Sequence, residues 1–145
     1  PRDAWEGRVF IKLSERRRIR MIEAISTPGI PGGIGPNSQG IKAGGFLFLS
    51  GQTPVNPETK ELNGDSIEPQ AEQIMQNIRA ILSHQGLEFT DVVKTTCFLS
   101  DMKDYAGFNA VYAKYFVGKP ARSCFAVKEL PRGSLCEVEL IALLK

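Results

Sequence analysis

The sequence predicts an α+β domain in which one mixed sheet carries two helices packed on one face. Three observations predict it. Two stretches repeat apolar residues at helical spacing, and several short runs are β-branched and aromatic with period-two alternation. The two kinds follow one another as strands, helix, strand, helix, strands, an order that suits one sheet with helices gathered on one side. The 145 residues, 42% hydrophobic and 23% charged, are enough for a single core.

Residues 29–40 hold so many glycines and prolines that a shaped loop is expected there. Residues 46–50 read as a short aromatic strand, and residues 56–60 as the turn beyond it. Ser66 offers an N-cap to a helix whose buried stripe is Ala71, Ile74, Met75, Ile78, Ile81 and Leu82, with Gly86 as its C-terminal cap. Residues 92–99 form the next strand. Asp101 or Asp104 caps a second helix with Phe108, Val111, Tyr112, Tyr115 and Phe116 inward, and Gly118 and Pro120 end it. Two closing strands, 121–127 and 136–144, are joined by Leu130-Pro-Arg-Gly-Ser134. A sheet covered on one side needs cover on the other, so a partner subunit is expected.

The longest apolar runs fall far short of the roughly 20 residues that cross a bilayer. Cys97, Cys124 and Cys136 lack the close spacing of a zinc site or a redox pair, and a reducing compartment is the simplest reading. His84 is the only histidine and falls at the polar end of the first helix, which leaves little for a histidine-based metal cluster or triad. Residues 1–20 form a basic extension, with seven arginines and lysines against three acids, ahead of a domain over 21–145. Residues 8–13 alternate well enough for an added edge strand. The remaining chain is slightly acidic, which argues against extended binding of a phosphate backbone. A cytosolic address is expected, with mitochondrial import as the alternative.

Two strands carry the chemistry. Along 121–127, period-two geometry puts Arg122, Cys124 and Ala126 on one face, among small or apolar groups. A guanidinium there needs a partner, and either a structural salt bridge or a bound carboxylate satisfies it. On the last strand Glu137 and Glu139 share a face, as a solvated stripe or as a pair able to do general acid and base work. Cys124 has no histidine in its motif to activate it as a nucleophile.

The ordered set Gly35-Pro-Asn-Ser-Gln-Gly40, Leu49-Ser-Gly-Gln52, Pro54-Val-Asn-Pro57, Val93-Lys-Thr-Thr96, Phe108-Asn-Ala110, Pro120-Ala-Arg-Ser123 and Leu130-Pro-Arg-Gly133 with Glu137-Val-Glu139 resembles the reactive intermediate deaminase A (RidA, also YjgF) family. The resemblance runs over about 21–145. It implies a chorismate-mutase-like fold and a homotrimer whose sheets form a central barrel, with ligand clefts between subunits. It also implies hydrolysis of 2-iminobutanoate, 2-iminopropanoate and their enamine tautomers to 2-oxo acids and ammonia, without cofactor or metal. By position, Arg122 is similar to the family arginine that grips the substrate carboxylate, and Glu137 to the acid that activates water. Asn37, Ser50, Gly51, Asn109 and Cys124 fall on pocket-lining positions. Asn37 departs from the tyrosine usual there, and the link from Asn109 to Arg122 is short for the family. The competing readings are an RNA-directed ribonuclease or translation inhibitor, and a ligand-binding regulator without turnover.

Overall fold

A computed structural model describes residues 22–30, 32 and 35–145. The basic extension and its expected edge strand lie outside the described residues. Six strands form one sheet in the order β1-β2-β3-β6-β4-β5. They are β1 (Glu23–Ile25), β2 (Gly40–Ala43), β3 (Phe46–Gln52), β4 (Val92–Leu99), β5 (Ala121–Ala126) and β6 (Cys136–Leu143). All neighbours run antiparallel except β4 and β5, which are parallel because a helical crossover joins them.

The helix α1 (Ile67–His84) buries the expected stripe Ala71, Ile74, Met75, Ile78, Ile81 and Leu82. Its end is a Schellman motif. Gly86, at φ +70°, donates to Ser83 at 3.0 Å, and Leu87 donates to Leu82 at 2.8 Å and is itself buried. Ser66 does occupy the N-cap, but its hydroxyl makes no capping bond. Pro69, the third helical residue, removes the N–H that such a cap most often reaches. The helix α2 (Tyr105–Tyr115) buries Phe108, Val111 and Tyr112, and Phe116 is buried just past its end. Asp101 caps a 3-10 turn, Met102–Asp104, by accepting from Lys103 at 2.8 Å.

The core lies between the helices and one face of the sheet. Leu47 and Leu49 from β3, Val92, Cys97 and Leu99 from β4, and Val138, Leu140 and Ala142 from β6 supply that face. The opposite face leaves Phe46, Phe48, Phe125 and Leu143 between 36% and 50% exposed. Four large apolar groups on one open surface are more than scatter, and they agree with the expectation of a face that the two helices do not cover, as far as the described residues go.

The expected loop over 29–40 stops one residue early, because Gly40 opens β2 and pairs with both Ile25 and Leu49. A side chain there would meet Phe48 O at 3.0 Å and Ile25 at 3.1 Å, so the glycine serves close strand packing and not a turn.

Candidate active site

Glu137 and Glu139 both lie on the open face, since their neighbours Cys136, Val138 and Leu140 fill the core side of β6. Across the β3–β6 ladder, Leu49 pairs with Leu140 and Gln52 with Val138, so Ser50 and Gly51 together oppose the single Glu139. This is a β-bulge, which bends a strand and re-aims its side chains. It turns the end of β3 toward the glycine-rich loop. Ser50 donates its N–H to Gln39 O at 3.0 Å and its hydroxyl to Ser38 O at 2.7 Å. Gln39 in turn accepts from Thr27 N–H at 2.9 Å.

Glycine at position 51 has a local cause. A Cβ built there would lie 1.9 Å from Glu137 Oε1, so the carboxylate occupies the space of the missing side chain. Burial, and then the neighbouring Glu139, raise the Glu137 pKa above the ordinary carboxylate value. A half-buried carboxylate of raised pKa is a stronger base than a solvated one.

Glu137, Ser50, Gly51 and Asn37 line one cavity of about 570 Å³, together with Asn77 and Arg132 among others. The sequence reading missed Asn77, Lys60 and Arg132. Asn77 donates to Val55 O at 2.9 Å and accepts from Gln73 at 2.9 Å, while buried Gln70 donates to Gly64 O at 2.9 Å. These polar groups sit among the apolar stripe of α1 and hold the loop that forms the cavity wall. Their signal was visible as glutamine and asparagine at helical spacing on the inward side. Lys60 and Arg132 hold φ of +65° and +60°, and Arg132 donates to Lys60 O at 3.0 Å. Left-handed conformations of residues other than glycine cost energy and gather at functional sites.

Arg122 stands elsewhere. Its strand pairs in parallel register, Thr95 with Arg122 and Cys97 with Cys124. Thr95 is buried beneath α2 with its hydroxyl 2.8 Å from that of Tyr112, so Arg122 faces the helices. Glu137 pairs with Phe98, on the other side of β4. Within one chain the two catalytic candidates therefore lie on opposite faces of the sheet.

The setting of Arg122 also differs from the small or apolar one expected. Nη1 donates to Asn109 Oδ1 at 2.7 Å, Nη2 donates to Tyr105 at 3.0 Å, and the guanidinium lies 4.8 Å from the centre of the Tyr112 ring. Among the described residues no carboxylate pairs with this half-buried cation. Asn109 thus lies beside Arg122, whereas Asn37, Ser50 and Gly51 accompany Glu137. Cys124 is partly buried, and burial, its largest influence, raises its pKa, which keeps it a thiol. Cys97 and Cys136, both buried, are pushed up to about 12 for the same reason.

The domain thus carries a bulge-built carboxylate niche on one face of its single sheet and, on the other, a guanidinium without a carboxylate partner among the described residues. The family described as Endoribonuclease L-PSP matches residues 29–144, and the chain belongs to this RidA/YjgF family. A RutC family protein of Pyrococcus horikoshii is 48% identical over 123 residues, covering 84% of this chain and 98% of the relative. Among solved structures, TdcF of E. coli with bound serine is 38% identical with a TM-score of 0.79, covering 85% of this chain and 99% of that one. RidA from an Antarctic Psychrobacter is 36% identical, also with a TM-score of 0.79, and covers 84% and 99%. No helix among the described residues is long and apolar enough to cross a membrane.

Proposed function

We propose that the protein hydrolyses 2-imino acids and their enamine tautomers, of the size of 2-iminobutanoate and 2-iminopropanoate, to 2-oxo acids and ammonia. The observation that carries the reading is Arg122, a half-buried guanidinium seated by neutral groups with no carboxylate among the described residues. Such a cation is a receptor for a carboxylate brought by a ligand, and its planar fork matches that group with two parallel hydrogen bonds. The serine in the TdcF structure, itself an α-carboxylate, supports the same ligand class.

Because Arg122 and Glu137 face opposite sides of one sheet, a substrate that meets both lies between two copies of the chain. A homotrimer joined through the open, aromatic face provides such clefts. In this arrangement Arg122 of one copy holds the substrate carboxylate and draws electron density from C2. Glu137 of the next takes a proton from a water whose oxygen bonds to C2, while the C=N electron pair moves to nitrogen. Glu137 returns that proton to the nitrogen, and the hydroxyl proton then follows it to the nitrogen as the C–N bond breaks, so ammonia leaves and the C2–O bond becomes the ketone carbonyl. The net reaction consumes one water.

The description of the matching family favours a second reading, action on RNA. The slightly acidic body past residue 20 gives that reading little electrostatic support. We also place the protein in the cytosol, which fractionation of the expressing cell against a mitochondrial marker tests.

The deciding assay generates 2-iminobutanoate with a threonine dehydratase and follows its decay, with a parallel incubation on single-stranded RNA. Accelerated imine loss with intact RNA supports the proposal. Decay no faster than the spontaneous rate overturns it, and RNA cleavage in that case establishes the alternative.

A further inference from the structure

We propose that Tyr105 is a second binding residue of the Arg122 subsite, its phenolic O–H donating to the same carboxylate that the guanidinium holds. The proposal rests on the carboxylate reading of Arg122 and adds a specificity element that the motifs do not contain.

The chain has three tyrosines, and their hydroxyls are engaged differently. That of Tyr112 is shared with Thr95 at 2.8 Å, and that of Tyr115 donates to Glu72 in a very short bond. The Tyr105 oxygen lies 3.0 Å from Arg122 Nη2. A guanidinium has donors only, so the tyrosine oxygen accepts this bond and its own proton points elsewhere. Among the described residues, no group accepts that proton.

Arg122 leaves its outer edge open in the same way. One N–H goes to Asn109 and one to Tyr105, and three of the roughly five that a guanidinium carries remain. Several donors and a full positive charge thus meet on one side of α2, with no competing carboxylate among the described residues. A carboxylate offers about four lone-pair positions, enough to accept two guanidinium N–H groups and one phenol. Accepting from a cation polarises the phenol and strengthens it as a donor, since linked hydrogen bonds reinforce one another.

Packing alone gives little reason for a hydroxyl here. Tyr105 is the first residue of α2 and is 37% exposed, with its ring centre 5.7 Å from the guanidinium carbon. Phenylalanine would preserve that stacking. What the hydroxyl adds is an oriented donor beside the cation, and this favours acids over their neutral amides.

Tyr105→Phe in the full, assembled protein isolates the hydroxyl. Two readouts are taken: competitive inhibition by 2-oxobutanoate and by its primary amide, and the split between KM and kcat on 2-iminobutanoate. We expect the acid to bind roughly tenfold to a hundredfold more weakly, as for one lost hydrogen bond to a charged group. KM rises more than kcat falls, while affinity for the amide and the melting temperature stay unchanged. If Tyr105→Phe keeps full affinity for the acid while Arg122→Ala loses it, Tyr105 does not touch the carboxylate and the proposal is overturned. A fall in kcat with no change in acid affinity also overturns it, because the hydroxyl then only orients Arg122. Should Arg122→Ala itself retain acid affinity, the carboxylate reading of Arg122 fails, separately from any result at Tyr105.

Discussion

Gly51→Ala adds one methyl group to the chain, and the structure says where that group goes. The new Cβ lies 1.9 Å from Glu137 Oε1 and 2.8 Å from its Cδ. Carbon and oxygen atoms rest at about 3.5 Å, so the carboxylate has to retreat by roughly 1.5 Å. The obstructing atoms are the end of a flexible side chain and Gly51 is not in the left-handed region, so the fold accommodates the change. A general base moved this far no longer reaches its water, and misplacement by about 1 Å costs on the order of 10²-fold in rate. That corresponds to about 2.7 kcal/mol of lost transition-state stabilisation. The expected result is a kcat on 2-iminobutanoate reduced at least about 100-fold, with a melting temperature and oligomeric state like those of the parent. Following imine decay in the coupled dehydratase assay, beside a thermal melt, measures both halves. Full kcat in a folded Gly51→Ala protein would falsify the placement of Glu137 as the base.

The other predictions probe the two faces and the cavity rim. Arg122→Ala abolishes deamination without loss of fold, since removing one member of a buried charge pair costs roughly 2 to 5 kcal/mol of binding; Arg122→Lys rescues little, because the planar fork is lost, and wild-type kcat/KM in either variant removes Arg122 from the site. Glu139→Gln removes a negative neighbour that helps raise the Glu137 pKa, so that pKa falls and the acid limb of the kcat profile moves to lower pH. An acid limb that stays in place or moves up excludes Glu137 as the titrating base. Asn37→Tyr narrows the mouth of the 570 Å³ cavity. It raises kcat/KM on 2-iminobutanoate relative to bulkier imines by a factor equivalent to roughly 1 to 3 kcal/mol per excluded methylene, and an unchanged ratio shows that Asn37 does not face the substrate.

Much of this molecule was legible in one dimension. Helical spacing identified the buried stripe of α1 and, in α2, Phe108, Val111 and Tyr112, with Tyr115 only partly buried, and the glycine past His84 marked a C-cap that turned out to be a Schellman motif. Period-two alternation placed Arg122 with Cys124, and Glu137 with Glu139, on common faces of their own strands. The motif set placed the chain in its family. These features depend on neighbours within a few residues, and such neighbours are printed in order along the chain.

Tertiary structure decided what depends on partners distant in sequence. The short strands β1 and β2 carry little signal of their own and exist because β3 offers a ladder for them to join. Alternation assigns side chains to faces within one strand and says nothing of how two strands are registered. Only the pairing of β4 with both β5 and β6 revealed that Arg122 and Glu137 look to opposite sides. The slip that sets Ser50 and Gly51 against one residue of β6 is likewise a property of two strands together. So is the placing of the Tyr105 hydroxyl against Arg122, 17 residues away. Local sequence determines which elements form and which way each side chain leans. Hydrogen-bond ladders closed between remote segments decide which of those side chains share a site.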